Sequence, residues 1–171
     1  MRIPSFNARS RWTALAVLVP VFALATLSAD RTPALSLVNE SPSLPKGLYL
    51  RAHGARPERG AIVAVPQPTP TRAYLAGLGM PADVLLLKRV AASGGEIVCR
   101  NGSRVWGADW SVAAAGRDRR NRVLPAWSGC RVLAADELFL LGDTASSFDS
   151  RYFGPVRESD VAGVFRETIG W

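Results

Sequence analysis

The sequence predicts a mainly β fold, an antiparallel sheet domain behind one N-terminal membrane helix. Short apolar runs bounded by Gly, Pro and Arg recur from residue 47 to residue 167 with almost no helical periodicity, which is how many short strands read. Ahead of them, residues 12–29 form an uncharged apolar stretch. The 15 glycines and 12 prolines of the 171-residue chain supply the turns such strands require. With the N-terminal segment set aside, the remainder has the size of one hydrophobic core, so residues 1–30 read as a membrane anchor or signal segment and residues 31–171 as a single exported domain.

The apolar stretch, WTALAVLVPVFALATLSA, follows Arg2, Arg9 and Arg11 and precedes Asp30. It is long enough to span a bilayer if its flanks assist. Its cationic front and small-residue end equally fit a cleavable export signal, and Pro20 decides neither way. Both alternatives export the rest of the chain. The positive-inside rule keeps the N-terminus cytoplasmic, which places the chain at a bacterial inner membrane with its domain in the periplasm.

Residues 31–40 read as a short tether that holds the start of the domain close to the bilayer. Strands are expected at 47–51 and 61–65, with a turn at 57–60 between them. The proline-rich stretch 66–70 is a stiff connector, and 72–78 forms a turn or two of helix that Gly79 and Pro81 end. Residues 84–90, VLLLKRV, form a strand whose nearly continuous apolar character implies burial on both faces, which draws Lys88 toward the core. Further strands are expected at 96–100, 103–106, 137–141 and 161–167, with Asn101 and Gly102 marking a hairpin.

The net charge of +7 comes almost entirely from arginine; the only lysines are Lys46 and Lys88. The one basic cluster, residues 117–120, lacks the interleaved aromatics or helix-turn-helix pattern of nucleic-acid recognition, and it reads as a solvated loop. Nucleic acid is excluded as a partner. Cys99 and Cys130 lie in the exported part, where oxidation is permitted, so one disulfide is expected, two buried free thiols being the alternative. Two cysteines and the single His53 do not make a metal-ligand set, and neither metal nor cofactor is expected. His53 lies in a polar turn, so a hydrolytic site here needs a base other than histidine.

Lysine serves as a base when an apolar site disfavours its ammonium form. Lys88 is in such a sequence, with three leucines before it and Leu86 and Val90 on its face of the strand. The alternative is a lysine whose stem packs on the core while its head reaches water. Three segments, NESPSLPKGLY at 39–49, KRVAASGGE at 88–96 and GDTASSFDSRYFGP at 142–155, bear on the choice. In order and content they resemble the sequence boxes of type I signal peptidases, and among these the compact TraF-like branch that processes pilin precursors in conjugative transfer.

That resemblance implies a membrane-associated serine endopeptidase with a Ser43 nucleophile and a Lys88 base. It implies that Ser41 assists the Ser43 backbone N–H in holding the oxyanion, that Ser147 holds the lysine amine, and that Asp149 and Arg151 form a supporting ion pair. The chain departs from the family where Gly94, Gly95 and Glu96 replace a Pro-Gly-Asp and where Ala61 stands in place of the usual Asp. A Ser-x-Pro after the nucleophile and the shorter 142–147 spacing fit the TraF-like branch. The implied partners are the membrane and an exported precursor, foremost a propilin, bound as an extended strand with small residues at −1 and −3. Leu44, Leu86 and Leu87 are the candidate walls of its pockets. A general signal peptidase and a catalytically inactive periplasmic assembly module are the alternatives.

Overall fold

The apolar runs at 62–65, 86–92 and 137–141 fold as strands whose residues are buried on both faces of the sheet they build. The computed structural model describes residues 33–171; the segment expected to meet the membrane, 12–29, lies outside them, and no helix among the described residues is long and apolar enough to cross a bilayer. In chain order the strands are β1 (Ser36–Asn39), β2 (Gly47–Arg51), β3 (Ile62–Val65), β4 (Leu86–Ala92), β5 (Ile97–Asn101), β6 (Arg104–Trp106), β7 (Ser111–Ala113), β8 (Gly129–Val132), β9 (Glu137–Leu141), β10 (Val156–Arg157) and β11 (Gly163–Gly170). Two short helices, α1 (Arg72–Ala76) and α2 (Ser150–Phe153), interrupt them.

Pairing is antiparallel throughout. The large sheet runs β1-β2-β11-β3-β4-β9-β10, and the small one β7-β6-β5-β8. Side-chain alternation then sorts the core. Val63, Val65, Leu86, Val90, Leu138, Leu140 and Val164 share one cluster. Consecutive neighbours go elsewhere: Ala64, Leu87 and Phe165 join Leu44 and Tyr49, whereas Phe139 and Leu141 pack with Val98 and Val105 of the small sheet. A β-bulge between Val90 and Ala92 lets β4 serve two clusters, because Val90 faces the first and Ala92 the one shared with the small sheet.

The expected strands at 47–51 and 137–141 match β2 and β9, and the others differ by one to three residues at their ends. The tether is a correction. Residues 36–39 pair with β2 along their whole length, so the chain is already part of the sheet before Asn39. The expected helix is shorter, ending at Ala76 after a 3₁₀ turn at Thr69–Thr71. The hairpin turn comes one residue later than the Asn-Gly signal: Asn101 pairs with Arg104, and Gly102, at φ 56°, begins the turn.

Cys99 and Cys130 form a disulfide between directly opposed residues of β5 and β8, with Cα atoms 4.0 Å apart. All four residues of β8 are exposed, so this edge strand gains little from apolar burial and the cross-link constrains it instead. Replacing both cysteines with serine is expected to lower the unfolding free energy by about 2–4 kcal/mol. Urea denaturation of the two proteins measures the difference, and unchanged midpoints would show that β8 holds without the bond.

Candidate active site

The turn that carries Ser43 is shaped by one side chain. Asn39, the buried last residue of β1, donates from Nδ2 to the carbonyls of Ser41 (3.0 Å), Leu44 (3.0 Å) and Pro45 (2.9 Å). Its Oδ1 accepts from the Ser41 N–H (3.2 Å) and hydroxyl (2.9 Å). Prolines 42 and 45 have no N–H to offer, so the turn has few backbone donors of its own and takes its order from Asn39. The Ser41 and Ser43 hydroxyls are 2.7 Å apart, and Ser43 is 6% exposed.

Lys88 lies in the middle of β4, opposite Val63 and on the face shared with Leu86 and Val90. It is 4% exposed. Burial pulls its ammonium down to about 8; Asp149 and Asp143 draw it back upward, and Arg151 adds to the lowering. Lysine near 8 is divided between its charged and neutral forms at mildly alkaline pH, which a base needs.

The third segment follows β9. Asp149 and Arg151 are both fully buried and joined by two hydrogen bonds, Nη2 to Oδ2 at 2.6 Å and Nε to Oδ1 at 2.8 Å. Asp149 also caps α2 by accepting from the Arg151 N–H, and it accepts from the Gly142 N–H at 2.8 Å. Ser147 is buried, and its hydroxyl has no hydrogen-bond partner among the described residues.

Gly142 is where the Ser43 turn and the third segment meet. A Cβ at this position would collide with the Ser147 hydroxyl, come within 2.6 Å of the Ser147 Cβ and within 2.8 Å of the Ser43 carbonyl oxygen. Only glycine permits that approach. The neighbouring Asp143 N–H donates to the same Ser43 carbonyl at 2.6 Å, which fastens the Ser43 turn to the end of β9. Arg89, which follows Lys88, is paired with Leu141, which precedes Gly142. Ser43 and Ser147 thus meet at one glycine, next to the pair at which β4 and β9 part.

The three leucines do not share a wall. Leu44 and Leu87 pack together with Tyr49, Ala64 and Phe165, whereas Leu86 turns to the opposite face beside Val63 and Val65. Sequence reasoning missed Asn39, Gly142 and the ion pair between Arg89 and Asp143, whose Nη2 and Oδ2 are 2.9 Å apart. Asn39 had a signal, since Asn two residues before Ser41 is the pattern of a side chain that bonds the backbone ahead of it. Gly142 had none. His53 is exposed in its turn, and among the described residues no group of three or more His, Cys, Asp or Glu could hold a metal ion.

Residues 9–171 match the family described as signal peptidase, peptidase S26. The chain is similar to a plasmid transfer protein TraF of Escherichia coli, 36% identical over 147 residues, which spans 78% of this chain and 82% of the relative. A second E. coli plasmid transfer protein TraF is 33% identical over 92% of this chain and 96% of its own length. A crystal structure of a signal peptidase I from Enterococcus faecalis V583 covers 64% of this chain and 97% of its own at 22% identity, with a TM-score of 0.39, a likeness too loose to add to the family match.

The buried lysine carries a consequence for stability that is independent of any activity. Its folded value lies below its unfolded one, so stability is highest above about pH 10.5, falls as pH drops toward 8, and stays lowered beneath that. Lys88→Met is therefore expected to raise the unfolding free energy at pH 7 by about 3 kcal/mol and to remove its dependence on pH between 8 and 10.5. Denaturation at a series of pH values tests both. A destabilised Met variant would mean that the amine is well solvated.

Proposed function

Since the chain belongs to the signal peptidase family, peptidase S26, we propose that it is a membrane-associated serine endopeptidase that cuts leader peptides from exported precursors with Ser43 and Lys88. The observation that carries this reading is the buried Lys88, lowered to about 8, next to the Arg89–Leu141 pair that precedes the glycine on which the Ser43 turn rests. Neutral Lys88 takes the proton from the Ser43 hydroxyl as its oxygen attacks the carbonyl carbon of the scissile bond. The tetrahedral oxyanion is held by the Ser43 N–H and the Ser41 hydroxyl. Lys88 then returns the proton to the departing amine, and water admitted to the acyl-enzyme is activated the same way.

Ser147 suits a holding role for the amine, because its buried hydroxyl has no other partner among the described residues. Asp149 and Arg151 keep the 142–151 segment in shape and take no part in proton transfer. The precursor is proposed to lie beside the start of β4. Leu86 and Leu87 are paired with β3 on one side, while β9 leaves β4 at the Arg89–Leu141 pair and frees the other side for an extended strand. Such a strand directs −1 and −3 to one face. The relatives named as plasmid transfer proteins favour a precursor of a conjugative system; that it is a propilin, met by a periplasmic domain with residues 12–29 in the inner membrane, is part of the proposal.

Ser43→Ala and Lys88→Ala are each expected to abolish cleavage of a propilin while leaving the domain folded, and Ser41→Ala to lose about 100-fold in kcat. Substantial turnover by either of the first two would refute the assignment. The wild-type rate should climb with pH through an apparent pKa near 8, and Lys88→Arg should be inactive throughout because guanidinium keeps its proton. A rate independent of pH from 6 to 10 would rule out a lysine base.

Specificity is tested by precursors carrying Ala, Leu, Phe or Asp at −1 and −3. Ala is expected to be cut best at both positions. Efficient cleavage after Phe or Asp at −1 would contradict small apolar pockets.

A further inference from the structure

Beside the Ser43 turn lies a groove of about 490 Å³ that the catalytic proposal leaves empty of purpose. One end reaches Pro42 and Ser147, the neighbours of the candidate nucleophile and base. Its floor is a column of stacked rings: Tyr74 on Phe148 with centroids 4.9 Å apart, and Phe148 on Tyr152 at 5.2 Å, nearly parallel. Its rim carries Arg117, Arg119 and Arg120, the cluster that the sequence presents as a solvated loop.

That loop is built rather than loose. Arg117 bridges to Val123, Leu124 N–H returns to Gly116 O at 3.0 Å, and Asn121 takes a left-handed conformation at φ 61°. Asp118 is the one acidic group on the rim, and it is fully engaged. It accepts from the Arg120 and Arg122 N–H groups, from Arg122 Nε at 2.8 Å and from the Tyr74 hydroxyl at 3.1 Å. Arg117 donates to the Asn121 carbonyl at 2.8 Å. The guanidinium groups of Arg119 and Arg120 are exposed and have no hydrogen-bond or salt-bridge partner among the described residues. An aromatic floor with an unbalanced positive rim suits a peptide that offers an apolar side chain next to a carboxylate. A lipid surface is flat, and it would leave the ring column unfilled.

We infer that this groove receives the precursor segment beyond the scissile bond and selects an apolar residue adjacent to an acidic one. The inference rests on the reading of Ser43 as the nucleophile, and on the groove sharing no lining residue with the 84–88 strand where the leader side is proposed to lie. The selectivity is set mainly by Arg119 and Arg120.

The test measures binding separately from cutting. Full-length Ser43→Ala protein is titrated with labelled peptides that have Ala at −1 and −3 and Leu-Glu, Leu-Lys or Ser-Ser at +1 and +2. The Leu-Glu peptide is expected to bind about 10-fold more tightly than Leu-Lys, with the gap narrowing as salt is raised. Adding Arg119→Glu and Arg120→Glu should reverse the order, whereas peptides ending at −1 should bind both proteins equally. Equal affinity for Leu-Glu and Leu-Lys, or an order that survives the charge reversal, overturns the inference. Phosphatidylglycerol–phosphatidylethanolamine vesicles are titrated in parallel. If the reversal weakens vesicle binding and leaves the peptide order intact, the rim is a lipid contact and the inference fails. Cleavage of the Ser-Ser precursor by the wild-type chain, with no preference between the Leu-Glu and Leu-Lys peptides, counts against the groove alone. Absence of cleavage in the wild type, with the preference intact, counts against the Ser43 reading.

Discussion

Everything near the candidate site depends on the buried carboxylate of Asp149. Its oxygens accept from two backbone N–H groups and from two nitrogens of Arg151, and the guanidinium extends the arrangement to the carbonyls of Thr144, Ala145 and Ala113. Removing both ions from water costs several kcal/mol each, which only such complete satisfaction offsets. The result is a loop with its shape set from inside. Ala113 belongs to β7, and Arg100 of β5 donates to the Arg151 carbonyl, so the same pair also ties the small sheet to the large one. The disulfide in turn keeps β8 on β5, so a bond far from the chemistry helps hold the sheet that supports it.

On this frame the catalytic proposal becomes a matter of placement. Asn39 shapes one turn and Asp149 another, and the two touch where Gly142 has no side chain. Lys88 is delivered from β4 where β3 pairs with it on one side, one residue before β9 joins on the other. The molecule accepts a destabilising buried amine at that point, which is the usual relation between a reactive group and the fold around it.

How much of this is legible in the sequence depends on where each signal resides. The runs that become β3, β4 and β9 are apolar because they are covered on both faces, and that is a local property. Strand β8 is exposed along its length and β10 has two residues, so neither carries a pattern of its own; pairing partners define them. Ser43 and Lys88 are legible through motifs. The contacts that seat them, Asn39 within the turn and Gly142 across about a hundred residues, are tertiary and leave no periodicity behind. Leu86 and Leu87 follow from alternation alone: adjacent residues of a strand face opposite ways, and they join different clusters.

The bulge in β4 gives the domain a property that is not visible from either sheet alone. One inserted residue, Ala91, changes the parity of the strand, so that Lys88 and Ala92 answer to different interiors. The half that holds the candidate site and the half that carries the cross-linked sheet are therefore joined out of phase, as two screws cut with offset threads. Deleting that residue would restore a regular ladder in which the Val90–Leu140 and Ala92–Phe139 pairs follow one another and keep their faces. A single deletion is therefore absorbed at the bulge, whereas one made elsewhere in β4 would turn the side chains beyond it to the wrong face.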